Sequence, residues 1–492
     1  MQSYITQVSV INRTSFNKRD FSLSGKDYRQ LKVSKNSKPL SSLIEKSFQG
    51  KEIGSASYMR RSKYRFLKTV NLTDDFSISE ESIEYCRPEN IAHPQFGDIL
   101  IAKDGGGDGL GESALYNLQN TDKTDSISAG VLGVRIKKEA RYYLLGLLKS
   151  KHFKNFVDLN TPQGSTIRHS KKIALSYPVP FPKDENLQNL ISLVTQNILD
   201  KEEQIKLKNK KIDEQIEKEL RENQKVGTFE FQLPKISEIR RETRIDTGLY
   251  EKKYREIVYL IDDYKNSHFD LLEKYTAKRG QNLQITNIGL SIYSDVEKQN
   301  FYRLMTNIEL TDRRTVSKFR WLGSGKKLTL IPKNTIFLSA DGTVGRCMYI
   351  ADLGKTITNI HPWIINRKKI GVNQTEDIFT AMFLGWLYEK GFYEKIKDKA
   401  NGGGIKYNHL ERYLKIPNFP ESKQKEIANE YYNTIDKSSD LNFGNYLLKE
   451  KARNTEAGIF QLNMELFSLR EKLEYLVAKI VKEEKIDISF NY

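Results

Sequence analysis

The sequence predicts an α+β chain assembled twice over: two tandem β-rich domains separated by two long helices packed as an antiparallel coiled-coil spacer. Three observations carry this expectation. Landmarks of one domain recur in the same order roughly 237 positions later. Each copy closes on a Pro-rich exit, and each exit leads into a long helical pattern.

The first landmark pair is YRFLKTVNLTD (64–74) and YRLMTNIELTD (302–312), identical at Tyr, Arg, Leu, Thr and Asp. FGDILIAKDG (96–105) then matches KNTIFLSADG (333–342), each a β-rich run closed by an Asp-Gly turn. ALY (114–116) meets CMY (347–349), and LLGLLKSKHF (144–153) meets FLGWLYEKGF (383–392), whose apolar spacing is helical. Gly-containing loops follow, TPQGSTIRHSKK (161–172) and ANGGGIKYNHLER (400–412), and then the exits YPVPFP (177–182) and KIPNFP (415–420). One match is within reach of chance, as the out-of-register echo SKYR (62–65) and SKFR (317–320) shows, but an ordered series argues for duplication.

After Pro182 no Pro or Gly occurs until Gly227. Leu187, Ile191, Val194, Ile198, Ile205, Ile212 and Ile216 form a three-four seam, interrupted by Lys201 and Lys208. The second copy is expected to give a short helix after Pro420, a break at SSDLNFG (438–444) and a longer helix. There Ile459, Leu462, Leu466, Leu469, Leu473, Leu476 and Ile480 alternate steps of three and four, a coiled-coil seam. A helix of about 40 residues rises about 60 Å, so the two helices are expected to pack on each other. The boundaries that follow are 1–183 for the first domain, 184–226 for the central helix, 227–420 for the second domain and 421–492 for the C-terminal helical region.

Composition narrows the function. Lys and Arg total 80 against 63 Asp and Glu, a formal charge of +17, which favours a polyanionic partner. Cys86 and Cys347 are the only cysteines, so neither a disulfide framework nor a Cys-rich zinc site is expected. The amino terminus lacks a signal-peptide layout and no apolar run approaches a membrane span, which leads us to expect a cytoplasmic protein with no membrane partner.

Catalytic constellations are not found. His93, His152, His169, His268, His361 and His409 form no HExxH or paired metal-ligand spacing, and there is no Walker A sequence, methyltransferase Asn/Asp-Pro-Pro-Tyr/Phe motif or GxSxG elbow. GGGDGLG (105–111) does not fit GxGxxG and reads as a loop. Asp104 and Asp341 recur at matched positions, where Asp-Gly makes the turn. The sequence thus reads as a binder, with no catalytic, metal or cofactor residue assigned.

Basic and hydrogen-bonding side chains gather in predicted loops and can neutralise phosphates or reach base edges in the major groove. In the first copy the candidates are Arg60, Arg61, Lys63 and Lys68, then Gln163, Ser165, Thr166, Arg168, His169, Lys171 and Lys172. Arg65 stands among the first group. In the second copy they are Asn307, Arg313, Arg314, Lys318 and Arg320, then Asn401, Lys406, Tyr407, Asn408 and His409. The shared YR…LTD residues read as frame, while the changes Lys68/Thr306, Thr69/Asn307 and Asn71/Glu309 are where the copies are expected to begin reading different DNA. Segments 105–113, 161–172, 265–300 and 400–409 differ in length or type between copies.

This layout resembles the specificity subunit of type I restriction–modification systems. The resemblance covers nearly the whole chain and lies in GDIL…DG, NTIF…DG, the exits YPVPFP and IPNFP, PESKQKEI (420–427) and RIDTGLYEKKY (244–254). PESKQKEI is similar to the family's Pro-x-x-x-Gln-x-x-Ile start of a helix. The first copy departs from the pattern: KRDFSLSGKDY (18–28) is a weak counterpart, and Asn186 stands where Gln424 stands. The resemblance implies two target-recognition domains, each reading one half of a bipartite asymmetric duplex DNA site, with the helices setting the unread spacing. It implies two methyltransferase subunits that dock on the helices and bring S-adenosylmethionine, and motor–nuclease restriction subunits using ATP and Mg2+. The chain itself would bind no cofactor and perform no chemistry. The alternatives are a stand-alone DNA endonuclease or fused restriction–modification enzyme, and an RNA-binding scaffold.

Overall fold

Three sheets with one strand order occur in each half of the chain. The computed structural model describes residues 5–6, 30–88, 91–106, 109–118, 122–162, 165–242, 247–368, 373–397, 403–486 and 490. Two compact units result, the first made of 1–203, 437–454 and 465–492, the second of 204–436 and 455–464. Residues 18–28 and 244–246, which carry parts of the family resemblance, lie outside the described residues, as do 107 and 108 of the Gly-rich loop.

In the first unit, an antiparallel sheet runs Ser113–Leu115, Ile99–Ala102, Val131–Ile136, Ile44–Gln49. A second sheet runs Thr124–Ile127, Tyr64–Leu67, Glu84–Cys86, Tyr58–Met59, and its first pair is parallel. A third pairs Pro178–Pro180 with Ser37–Pro39. In the second unit the corresponding orders are Cys347–Ile350, Thr335–Ser339, Pro362–Arg367, Tyr275–Arg279, then Thr356–Ile357, Tyr302–Leu304, Arg320–Gly323, Ile292–Ser294, then Lys415–Pro417 with His268–Asp270. Thr356–Ile357 and Tyr302–Leu304 are again the parallel pair. Strands Ile99–Ala102 and Thr335–Ser339 are buried at every position and carry the apolar runs Ile99–Ala102 and Ile336–Leu338, because both sides are covered.

The duplication extends to backbone detail. Gly97 and Asn334 hold matched places before the GDIL and NTIF strands, and both sit at positive φ, 93° and 55°, which Gly and Asn tolerate best. A Cβ on Gly50 would lie 1.8 Å from the Ile127 carbonyl oxygen, and one on Gly280 would lie 1.9 Å from that of Asn359. The same close strand approach therefore demands glycine in both units.

The central helix runs Glu185–Glu222, and all of its predicted seam residues are buried. The C-terminal region gives helices Glu421–Tyr431, Tyr446–Glu456 and Ile459–Lys482. Its seam from Ile459 to Ile480 is buried throughout. That last helix, 24 residues and about 36 Å long, is shorter than the 60 Å expected. Gly458 explains the break before it: a Cβ there would lie 2.4 Å from the Asn433 nitrogen, so the chain is pinned against the backbone of 431–433.

The lysines interrupting the central seam are buried with partners. In the first unit, Lys201 Nζ donates to Asn454 Oδ1 and Glu465 Oε2, both at 2.6 Å, and Arg453 also pairs with Glu465. Burial opposes ionisation of Glu465, but the Arg453 and Lys201 bonds outweigh it and bring the carboxyl down to about 2. Lys201 meets Glu465, while Ile191, earlier in its helix, and Leu473, later in its own, both border Gly146, so the two segments run antiparallel. In the second unit Lys208 pairs with Glu430 and Gln215 with Glu426, again an antiparallel order against Glu421–Tyr431.

Candidate nucleic-acid interface

The loop after each LTD landmark docks its domain on helical segments, and the chemistry differs between copies. In the first unit Glu202 accepts the Phe76 backbone N–H at 3.0 Å and pairs with Arg470, which also reaches Asp75. Burial, reinforced by Asp75, pushes the Glu202 carboxyl up. In the second unit Asn463 exchanges two hydrogen bonds with the Val316 backbone, both 3.0 Å. Arg314 donates to Asn209 at 2.6 Å and pairs with Asp213, and Gly385 leaves room for its guanidinium.

Several sequence candidates already have structural partners within the chain. Arg314 is 2% exposed and serves as an anchor. Arg65 is equally buried, bidentate on Asp125 at 2.5 and 2.6 Å, and is frame. Arg320 is half-buried on Glu309, and Lys68 is held by Glu84 at 2.6 Å over the Tyr58 ring. Arg168 braces its own loop through Asp158 and the carbonyls of Thr161 and Pro162. Tyr407, Asn408 and His409 were expected on a loop, but Tyr407–Tyr413 is a helix. His409 is buried in it, accepting the Lys406 N–H. Asn71 and Glu309, expected to read differently, do the same structural task. Both are buried, and each accepts the backbone N–H three residues earlier, Lys68 or Thr306, at 2.8 Å.

Three loops converge on the Asp-Gly turn of each unit. In the second unit, Asn307 Nδ2 donates to the Asp341 carbonyl at 2.8 Å, and the Ile405 N–H donates to Ala340 O at 2.7 Å. His361 Nδ1 lies 3.2 Å from Asp341 Oδ2. Arg279 reaches the same carboxylate at 3.3 Å and stacks 4.0 Å over Trp363, whose Nε1 donates to Ile405 O. Burial holds the Arg279 guanidinium below its usual range against the pull of Asp341. In the first unit Ser170 N–H donates to Lys103 O at 2.7 Å, Lys103 N–H to Gly130 O, and His169 Nδ1 lies 3.0 Å from Asp104 Oδ1. Thr69 Cγ2 sits 3.1 Å from where a Cβ on Gly130 would be, which places the 68–71 turn beside this group.

These tips expose large apolar side chains at matched places, Val70 at 59% and Ile308 at 75%, joined by Ile167 in one unit and Ile360 and Tyr407 in the other. Isolated exposed aliphatics need no explanation, but a repeated set beside polar loop residues suits contact with thymine methyl groups. Ser165, Thr166, His169, Lys171 and Lys172 are exposed in the first cluster, and Lys406, Tyr407 and Asn408 in the second. Asn307, although mostly buried, belongs to the second cluster through its bond to Asp341. Lys318 is exposed near the same end of its sheet, since Arg320 pairs in register with Leu304 just before the 306–309 turn. Arg60, Arg61 and Lys63 are exposed too, but at the opposite end of strand Tyr64–Leu67, about 10 Å away along it. Arg313 lies on the helix-docking loop, its carbonyl accepting from Asn209. Gln163 and Asn401 lie outside the described residues.

Sequence reasoning missed His361. Its partner is reached through space, across strands, while the visible signal was a divergence: His361-Pro362 stands where the first copy has Gly130-Val131. Among the described residues, no group of three or more His, Cys, Asp or Glu could hold a metal ion, and no helix is long and apolar enough to cross a membrane.

No family model matches the chain, and no curated protein matches it. Among solved structures it is similar to the type I restriction-modification system S subunit from M. genitalium, at 12% identity over 93% of this chain and 97% of that one, with a TM-score of 0.40. It is also similar to the HsdS subunit from Thermoanaerobacter tengcongensis, at 12% identity over 92% and 98% of the two chains, with a TM-score of 0.27. A chain from a study of complex assembly and conformational transition of the type I R-M system matches at 12% identity over 92% and 99%, also with a TM-score of 0.27.

Proposed function

We propose that the chain is the DNA sequence-specificity subunit of a type I restriction–modification complex, acting in the cytoplasm and performing no chemistry itself. Each β-rich domain reads one half of a bipartite, asymmetric duplex site through the loop cluster around its Asp-Gly turn. The helical segments set the number of unread base pairs between the halves and receive two methyltransferase subunits. Those subunits bring S-adenosylmethionine and flip out the adenine to be methylated. Motor–nuclease restriction subunits, using ATP and Mg2+, join them to cut unmodified DNA.

The observation that carries this reading is the repetition of one three-sheet domain with different exposed loops in each copy. A repeated frame supplies position, and unlike loops supply unlike readout. The excess of positive charge favours a phosphate backbone, and two modest binding surfaces on one chain gain from a high effective concentration. Co-expression with a methyltransferase subunit of this system, followed by mapping of methylated adenines in the host genome, tests it. An asymmetric motif in two parts is the expected outcome, and a continuous motif or none would refute it.

A further inference from the structure

The turn aspartates do more than make a turn. Asp104 and Asp341 occupy matched positions, and each holds an imidazole Nδ1, at 3.0 Å from His169 and 3.2 Å from His361. The two histidines do not come from matched positions. His169 pairs with Asp104 across the two-residue strand contact Arg168–His169 to Asp104–Gly105, whereas His361 stands just before strand Pro362–Arg367. The same carboxylate is thus given the same partner from two different loops. A frame contact inherited through duplication would use one loop.

Packing does not account for the pairs either. The His169 and His361 side chains are 64% and 52% exposed, so each is a surface contact of little weight in stability. What a carboxylate on Nδ1 does is fix the ring plane and leave Nε2 as the ring's other hydrogen-bonding atom. The aspartates are themselves placed: Asn307 and Arg279 hold Asp341, and the strand pairing holds Asp104. Each pair stands beside the turn that carries the exposed tip residue of its unit, Val70 in one and Ile308 in the other.

We infer that His169 and His361 are base-edge readers, one for each half of the DNA site, and that Asp104 and Asp341 are their positioning residues. The inference rests on the proposed reading of the chain as a DNA-specificity subunit, and it adds the residues by which each half is read. A phosphate contact carries no sequence information, so it would not tie the ring to one base pair.

The test is selection by the full chain from a pool of random-sequence duplexes, with the recovered sequences read out position by position. The wild-type chain is expected to enrich a two-part motif. His361→Ala should lower discrimination by about tenfold at one base pair of one half, leaving the other half intact, and His169→Ala should do the converse. Asp341→Asn and Asp104→Asn should weaken preference at those same base pairs, a readout that a merely structural role would not move. An unchanged motif in the histidine variants would overturn the inference. So would a uniform loss of affinity with a shallower salt dependence, the mark of a phosphate contact. Enrichment of no duplex by the wild-type chain would instead refute the DNA reading itself.

Discussion

The two units carry the same sheets and yet fasten and furnish them differently. In the first, the loop after LTD is seated by a carboxylate and an arginine, Glu202 and Arg470. In the second, by amides and an arginine from the loop itself, Asn463, Asn209 and Arg314. The turn cap is Asn71 in one and Glu309 in the other. The loop that follows is acidic in the first, Glu80-Glu81, and carries Lys318 in the second. What persists is what the backbone demands: a residue tolerant of positive φ at 97 and 334, and none but glycine at 50 and 280. Side-chain chemistry is free to change wherever a second solution satisfies the same backbone group.

All three tryptophans, Trp321, Trp363 and Trp386, lie in the second unit, so their fluorescence reports it alone. The largest effect is expected from the glycines. Gly280→Ala should destabilise the second unit by more than about 3 kcal/mol and lower the denaturant midpoint seen by tryptophan. Gly50→Ala should be as damaging by circular dichroism but leave the tryptophan midpoint in place. Equal movement of that midpoint by both would show that the units unfold as one.

Arg314→Met should cost about 3 kcal/mol, since it leaves Asp213 without its buried partner. The tryptophan midpoint is again the readout, and an unshifted midpoint would remove Arg314 from the docking account. Next comes Glu465→Gln in the first unit, at about 2 kcal/mol near neutral pH. The folded carboxyl sits at about 2, below its ordinary 4.5. Its contribution is therefore full above about pH 4.5 and disappears as pH falls toward 2. Melting curves of wild type and variant should converge over that window, and a gap constant with pH would contradict the ion-pair account. The smallest effect, about 1 kcal/mol, is expected of Glu309→Asn, because Asn71 already does the same work in the other unit.

The frame was legible because apolar periodicity and turn residues survive substitution. The seam positions of both helices are buried, a property their periodicity carries, whereas the break at Gly458 was not legible because it depends on the backbone of 431–433 lying against it. The candidate side chains were legible as clusters of polar residues, but the burial of each one singly was not. Arg314 and His409 look like surface groups in sequence, but burial depends on what packs above them, Gly385 leaving room for one and a helix enclosing the other. His361 was hidden because its relation to Asp341 spans two strands.

The most direct measurement of the account concerns the helices. Two helical turns removed from within 190–220, in a chain co-expressed with its methyltransferase subunit, should yield a methylated motif with a changed number of unread base pairs and both half-site sequences intact. A motif with the original spacing, or with altered half-site bases, would contradict the claim that the domains read and the helices measure.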